Sequence, residues 1–204
     1  MNTTTLFNKL TEKFYTRDVL TVARELPGKI LVRKKGRKLF SGKIVEVEAY
    51  DGKTDRAAHS YKGITPRTEV MFRKGGYLYV YFTYGNHFCC NVVAGEEGHG
   101  SAVLIRAVEP IDGINFMSLN RFGVKNPDEK QFLNLTSGPG KLCKAFEINR
   151  SDSGMDLTGN QIYLLNRRKL SDDQIVQTTR IGITKSVSLK WRFYIKNNPF
   201  VSRK

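Results

Sequence analysis

The sequence contains few of the residues that form disulfide frameworks or metal sites. The cysteines and histidines of the 204-residue chain number three each: Cys89, Cys90, Cys143, His59, His87 and His99. Three cysteines, two of them adjacent, do not form a regular disulfide pattern, and neither residue type has the spacing of zinc ligands. We therefore expect reduced, buried thiols, no metal and no cofactor.

Long apolar segments are also missing. No run approaches the roughly 20 apolar residues of a membrane-spanning helix, and the N-terminus lacks the apolar core of a signal peptide. Repeats and Pro/Ser-rich linkers are absent as well, and 204 residues suit one well-packed domain. We expect a monomeric protein, cytoplasmic in a bacterium rather than nuclear. Residues 1–204 are predicted to form a single domain on which a helical N-terminal segment, 1–26, packs.

Acidic residues are scarce relative to basic ones. The chain has 34 Lys and Arg against 19 Asp and Glu, a formal net charge of +15 and a pI of about 9.8. This excess favours a polyanionic partner, because cationic side chains that neutralise phosphates release counterions. An anionic membrane surface, or no special partner, would also fit the charge. The basic residues are spread along the chain, which predicts a basic face rather than a charged tail.

The hydrophobic periodicity predicts an α+β fold. Helical spacing occurs at 6–26, 110–122 and 138–146. Strands are predicted at 29–33, 39–50, 77–83, 88–93 and 102–108, with short ones at 162–165, 181–183 and 192–195. The expected architecture is a single domain on a curved, mostly antiparallel β-sheet with flanking helices and a protruding β-hairpin.

The predicted strand 39–50 ends in a run that alternates apolar and polar residues, IVEVEAY. Positions 45, 47 and 49 are predicted to share one face, and Glu46, Glu48 and Tyr50 the opposite one. A half-exposed strand would explain this pattern without any function. Paired carboxylates also suit a metal, but no third acidic or histidine ligand lies nearby in the sequence.

The second notable run is rich in tyrosine. Tyr77, Tyr79 and Tyr81 are predicted to share one face of a hairpin strand, and Tyr84 lies at its tip beside Gly85. Most aromatic-rich strands belong to a core, but a large aromatic at a hairpin tip has the shape of a wedge for base-pair steps. With a carboxylate and His59 in a loop, this run supplies the groups that an enzyme acting on a flipped base requires.

These residues resemble the alkyladenine (3-methyladenine) DNA glycosylase family. The resemblance spans about residues 26–202, nearly the whole chain. It rests on several motifs in matching order: Ile44–Tyr50, Ala57–Ser60, Thr65–Arg67, Met71–Phe72, Tyr79–Tyr81 with Tyr84–Gly85, Phe88–Cys89 before Asn91, Val103–Pro110, Ser137–Cys143, Arg180–Ile183 and Arg192–Tyr194.

The resemblance implies a reaction and its catalytic residues. Glu48 would be the general base that deprotonates a water attacking the anomeric carbon. Arg106 and the backbone carbonyl of Ile181 would help to hold that water. Glu46 would be a solvated or salt-bridged neighbour. No lysine has the position of a nucleophile, so the implied enzyme is monofunctional and leaves an abasic site in double-stranded DNA.

The resemblance also implies how the damaged purine is held. Tyr50 would stack on one face of the flipped base, with His59 and Tyr81 on the other, and an aromatic sandwich favours bases made cationic by alkylation. Asn91 would obstruct the amino group of ordinary guanine. Tyr84 would intercalate into the gap left in the duplex. The expected substrates are alkylated or deaminated purines: 3-methyladenine, 7-methylguanine, hypoxanthine and ethenoadenine. A non-catalytic DNA-binding module with a structural Glu48 is the main alternative.

Overall fold

The computed structural model describes residues 8–83 and 85–203. The residues 1–7 of the predicted N-terminal helix, and the hairpin-tip residue Tyr84, lie outside the described part of the chain. The described residues form eight strands: β1 (Ile30–Lys35), β2 (Lys38–Tyr50), β3 (Leu78–Thr83), β4 (His87–Ala94), β5 (Ser101–Asp112), β6 (Ile162–Leu165), β7 (Ile175–Thr178) and β8 (Arg192–Ile195). They also form five α-helices: α1 (Glu12–Tyr15), α2 (Val19–Glu25), α3 (Ile114–Phe122), α4 (Glu129–Leu133) and α5 (Pro139–Ala145).

All eight strands belong to one open antiparallel sheet, which confirms the predicted α+β class. The order along the main path is β3-β4-β5-β2-β1-β6, and β8 pairs with both β2 and β7. The central strand β2 therefore contacts three neighbours, β1, β5 and β8. β1 pairs with the first part of β2, Lys38–Lys43, whereas the part that contains Glu46–Glu48 lies between β5 and β8.

Helices α1, α2, α3 and α5 pack against strands of the sheet and help to bury its apolar face. Helix α2 is capped by Asp18, whose carboxylate accepts hydrogen bonds from the N–H groups of Leu20 and Thr21. Its residues Val22 and Ala23 are fully buried in the main core. The predicted helix over 6–26 is thus, in its described part, two short helices separated by residues 16–18. None of the helices in residues 8–83 and 85–203 is long and apolar enough to cross a membrane.

The register of β2 departs from simple alternation. The pairing with β5 shifts between Ile44 and Glu46 and again between Glu46 and Val47. As a result Val45 packs on Phe200 and Val201, in a cluster separate from the core that holds Val47. The prediction that position 45 shares a face with positions 47 and 49 was wrong, because a bulge rotates the chain at this point.

One predicted helix begins later than expected, and one predicted strand was wrong. The helix predicted from residue 110 begins at Ile114, because β5 continues through Pro110 to Asp112 and Gly113, at φ +80°, then turns the chain. The strand predicted at 181–183 is a turn with Gly182 at φ +74°. Periodicity also failed to predict β7, which pairs with β8 near the surface.

The predicted tyrosine-rich hairpin is present as β3 and β4. Thr83 pairs with His87 at its end, and Gly85 adopts φ +70° in the turn. The left-handed conformation at Gly85 explains why a glycine follows the tip residue. The three cysteines are free and buried, as predicted from their spacing.

Candidate active site

A cavity of about 340 Å³ opens where the end of β2 meets the hairpin and two loops. Five of the side chains selected from the sequence line it: Tyr50, His59, Tyr81, Asn91 and Arg106. The fold thus brings together residues that lie up to 56 positions apart in the sequence. The remaining wall comes mainly from the loops at 56–59 and 181–185 and from strand β3.

Glu48 lies directly behind this wall, with no exposed surface. Its Oε1 accepts a hydrogen bond from the N–H of Ile181 at 2.7 Å. Its Oε2 accepts one from the hydroxyl of Tyr50 at 2.9 Å and lies 3.2 Å from Nη1 of Arg106. Because Tyr50, Arg106 and Ile181 all line the cavity, the carboxylate is one layer away from any bound molecule.

Arg106 bridges the two glutamates of β2. Its Nε donates to Oε1 of Glu46 at 2.9 Å, and the same oxygen accepts from Nε of Arg192 at 2.7 Å. The N–H of Ser202 donates to the other oxygen of Glu46 at 2.7 Å. Burial alone would lower the pKa of Arg106, but Glu48 and Glu46 raise it above its ordinary value. Glu46 is therefore fully buried and salt-bridged; the alternative of a solvated side chain was wrong.

Tyr50 is held between a carboxylate and a cation. Burial, followed by the neighbouring Glu48, raises the pKa of its phenol, so the hydroxyl stays protonated and donates. The guanidinium of Arg180 lies 4.6 Å from the centre of the ring. The ring is therefore held by Glu48 at its hydroxyl and by Arg180 over one face. The side chain still lines the cavity.

His59 and two tyrosines form an aromatic group at the opening. The ring centres of His59 and Tyr81 are 4.5 Å apart at an interplanar angle of 81°, and Tyr79 stacks on Tyr81 at 5.6 Å. Partial burial and then the charge of Arg67 lower the pKa of His59 to about 4. The ring is thus neutral at pH 7. Since Arg67 only donates, Nε2 of His59 accepts at 3.3 Å, and Nδ1–H donates to the hydroxyl of Tyr79 at 3.1 Å.

Asn91 is buried in β4 opposite Tyr79. Its side-chain amide donates to the backbone carbonyl of Tyr79 at 3.1 Å, which fixes the orientation of the group that borders the cavity. The adjacent wall residue Cys89 has a thiol whose pKa is raised to about 11 by burial and by Cys90. A neutral thiol of this kind is a poor nucleophile and serves as part of the wall.

Several residues of the site were not selected from the sequence. Tyr79 and Cys89 line the cavity, and Arg180 forms a buried ion pair with Asp55 behind Tyr50. Arg180 belongs to a motif that carried the resemblance, but its partner lies 125 positions away. Arg56 and Lys185 add two exposed cations to the cavity wall. Within the described residues, no three His, Cys, Asp or Glu side chains group as metal ligands.

Comparison with known proteins identifies the family. Residues 13–199 match the family described as Methylpurine-DNA glycosylase (MPG). A protein of Clostridium acetobutylicum named "Putative 3-methyladenine DNA glycosylase" is 49% identical over 200 residues, covering 95% of this chain and 97% of that protein. Proteins of the same name from Alkaliphilus oremlandii and Carboxydothermus hydrogenoformans are 48% and 47% identical, each covering 96% of this chain and 100% and 99% of their own lengths. The chain therefore belongs to the methylpurine-DNA glycosylase family and is a DNA glycosylase.

Proposed function

We propose that this chain is a monofunctional DNA glycosylase that hydrolyses the N-glycosidic bond of alkylated or deaminated purines in base excision repair. The observation that carries the proposal is the buried Glu48, held by two hydrogen bonds and the ion pair with Arg106 behind a cavity lined with aromatic side chains. A cavity of about 340 Å³ lies in the range of small-molecule sites. Aromatic walls of this kind bind an extruded base by stacking on its flat ring.

The hydrogen bonds of Glu48 leave room for one water. An ionised carboxylate offers about four acceptor positions. Oε2 accepts from the Tyr50 hydroxyl and forms the ion pair with Arg106 at 3.2 Å, whereas Oε1 accepts only from Ile181. A water that donates to the free position of Oε1 would lie next to Ile181, which lines the cavity. This position supports general-base catalysis through water over direct attack by the recessed carboxylate.

The proposed reaction proceeds as follows. The water oxygen forms a bond to C1′ of the sugar as the bond from C1′ to the base nitrogen breaks. Glu48 accepts the proton of the water, and Arg106 supports the carboxylate in its ionised form. The electron pair of the broken bond goes to the base, where it neutralises the charge of a purine made cationic by alkylation. Such a cationic base leaves without a second carboxylic acid, which agrees with the buried ion pairs of Glu46. Hypoxanthine and ethenoadenine are neutral in the nucleotide, so each takes up a proton from solvent water as it leaves.

The wall residues suit base recognition. We propose that Tyr50 stacks on one face of the flipped purine and that His59 and Tyr81 contact the other. Base–aromatic stacking contributes about 1–3 kcal/mol per base and tolerates many bases, which fits 3-methyladenine, 7-methylguanine, hypoxanthine and ethenoadenine. Asn91 would exclude guanine. Tyr84 would fill the gap left in the duplex.

We also propose an assembly state and a cellular location that suit a DNA substrate. We propose that residues 1–204 act as a monomeric glycosylase domain and that the protein works on chromosomal DNA in the bacterial cytoplasm. The net charge of +15 favours binding to the DNA backbone, and the named relatives are bacterial proteins.

The test is base release from a panel of duplexes, each containing one of the four lesions, under single-turnover conditions. We expect free purine and strand breaks that form only after alkali treatment. Because Lys185 lines the cavity, borohydride should also be added during the reaction. A trapped covalent complex, or breaks without alkali, would contradict the monofunctional mechanism. Tight binding without release from any duplex would favour the non-catalytic module.

A further inference from the structure

The ion pair of Arg180 and Asp55 joins three segments of the candidate site. Neither side chain of the pair has exposed surface. Nη2 of Arg180 donates to Oδ1 of Asp55 at 2.9 Å, and Nη1 donates to Oδ2. Nη1 also donates to the backbone carbonyl of Ala49 at 2.8 Å, one residue before Tyr50. The guanidinium thus ties the end of β2 to two separate loops.

The same guanidinium is close to both uncharged groups that donate hydrogen bonds to Glu48: it contacts the ring of Tyr50, and Ile181 is its neighbour in the chain. Its centre lies 4.6 Å from the ring of Tyr50, whose hydroxyl donates to Oε2 of Glu48. The next residue in the chain is Ile181, whose N–H donates to Oε1. A displacement of Arg180 would therefore affect both oxygens of the carboxylate.

Asp55 extends this connection to the loop that carries His59. Its Oδ1 accepts from the N–H of Ala57 at 3.0 Å, and its carbonyl accepts from the N–H of Ala58 at 2.9 Å. These bonds fix the turn directly before His59 at the cavity opening.

We propose that Arg180, through its ion pair with Asp55, is a positioning residue that sets the geometry of Tyr50 and of Glu48 for base release. This role rests on the proposed glycosylase function. A contribution to stability does not account for the pair, because desolvation offsets much of the attraction between buried charges. In addition, Nε of Arg180 is buried without a partner, which adds a further cost.

The protein contains a matched control. Arg33 and Asp152 form another buried ion pair, at 2.9 Å and away from the cavity, with each side chain 6% exposed. Nε of Arg33 is also buried without a partner, and neither residue lines the cavity. Substitution of Arg33 therefore reproduces the loss of a buried ion pair without a contact to the site.

The test compares Arg180→Lys with Arg33→Lys in single-turnover release of ethenoadenine from a duplex, with urea unfolding of each variant. Lysine keeps the charge but loses the planar fork. We expect Arg180→Lys to lower the rate of release by about tenfold to a hundredfold, as misplaced catalytic groups do, and Arg33→Lys to leave it within about twofold. Asp55→Asn, which keeps an acceptor oxygen, should give a smaller loss and serves if Arg180→Lys does not fold.

A double-mutant cycle with Tyr50→Ala adds a measurement that a purely structural role would not change. Because the ring to be positioned is absent in Tyr50→Ala, Arg180→Lys should slow base release by a smaller factor in this background. An equally large factor in both backgrounds would contradict the proposal. If wild-type protein releases ethenoadenine and the folded Arg180→Lys and Asp55→Asn variants match Arg33→Lys in rate, the positioning role fails alone. If wild-type protein releases no damaged purine, the proposed function fails and the positioning role with it.

Discussion

The N–H of Ile181 donates to Oε1 of Glu48 at 2.7 Å, across 133 positions of sequence. Residues 181–183 do not extend the sheet, although their apolar character predicted a strand. Gly182 has a φ of +74°, and the N–H of Ile181 donates to a buried carboxylate rather than to a neighbouring strand. The site therefore depends in part on a backbone N–H that lies outside the regular pairing of the sheet.

Glu46 and Glu48 are both fully buried, yet their surroundings predict different consequences of substitution. Glu46→Gln removes the charge that two arginines share, and loss of one partner of a buried ion pair costs about 3–5 kcal/mol. We expect urea unfolding to show a loss of at least about 2 kcal/mol, because glutamine still accepts one hydrogen bond.

The control for Glu46→Gln is Glu109→Gln. Glu109 pairs with Lys43 at 2.6 Å on the partly exposed side of the sheet, where ion pairs contribute about 0–1 kcal/mol. Equal losses in the two variants would contradict a structural role for the buried network around Glu46.

Asn91 is predicted to exclude guanine. Asn91→Ser shortens the side chain that is oriented by the carbonyl of Tyr79 and opens the wall of the cavity. We expect about tenfold more abasic sites in undamaged duplex, since steric rejection in a pocket is of this order. The measurement is guanine release after long incubation, with strand breaks counted after alkali treatment.

The matched control is the double variant Asn91→Ser with Glu48→Gln. Guanine release that persists in the double variant would mean that a contaminant or a different site removes the base. No gain of guanine release in the single variant would contradict the role of Asn91.

His59 predicts a pH dependence of stability. Its pKa is about 4 in the folded protein and 6.5 for an ordinary histidine, so between these values the unfolded chain binds more protons. Wild-type protein should therefore lose stability relative to His59→Phe as the pH falls from about 6.5 to about 4. Urea unfolding of both proteins across this range measures the difference. Parallel curves would contradict a depressed pKa.

The outline of the fold follows from sequence patterns, but details of the site do not. The alternation of apolar and polar residues predicted β1, β2 and the hairpin, because successive side chains of a strand lie on opposite faces and one face is buried. It misplaced Val45, since a bulge depends on pairing with β5 that local sequence does not encode. It also missed the pairing of Arg180 with Asp55, because a contact across 125 positions has no signature in either segment alone.

The resemblance selected the side chains that the fold brings together, whereas composition alone could not rank them. Glu46 and Glu48 are equivalent in the pattern of the strand, and the resemblance singled out Glu48. Their contacts in the structure also differ: Glu46 binds two arginines and a backbone N–H, whereas Glu48 adjoins the cavity wall.

Tyr84 is predicted from the sequence to act as the intercalating wedge. Tyr84→Ala removes a stacking contribution of about 1–3 kcal/mol, so the affinity for lesion duplex should fall about tenfold to a hundredfold. Tyr84→Phe keeps the ring and should bind like wild-type protein. Binding by fluorescence anisotropy measures both variants, and an unchanged affinity of Tyr84→Ala would contradict the wedge.

Glu48 is proposed to activate the attacking water. Glu48→Gln keeps the size of the side chain and an oxygen for the N–H of Ile181 but removes the base, and general-base catalysis contributes about 10²–10⁴-fold. The most direct measurement is single-turnover release of hypoxanthine or ethenoadenine by Glu48→Gln, together with its affinity for the same duplex. We expect release at least about a hundredfold slower, with affinity within a few fold of wild type. Release at the wild-type rate by a folded, DNA-binding Glu48→Gln variant would contradict general-base catalysis by Glu48.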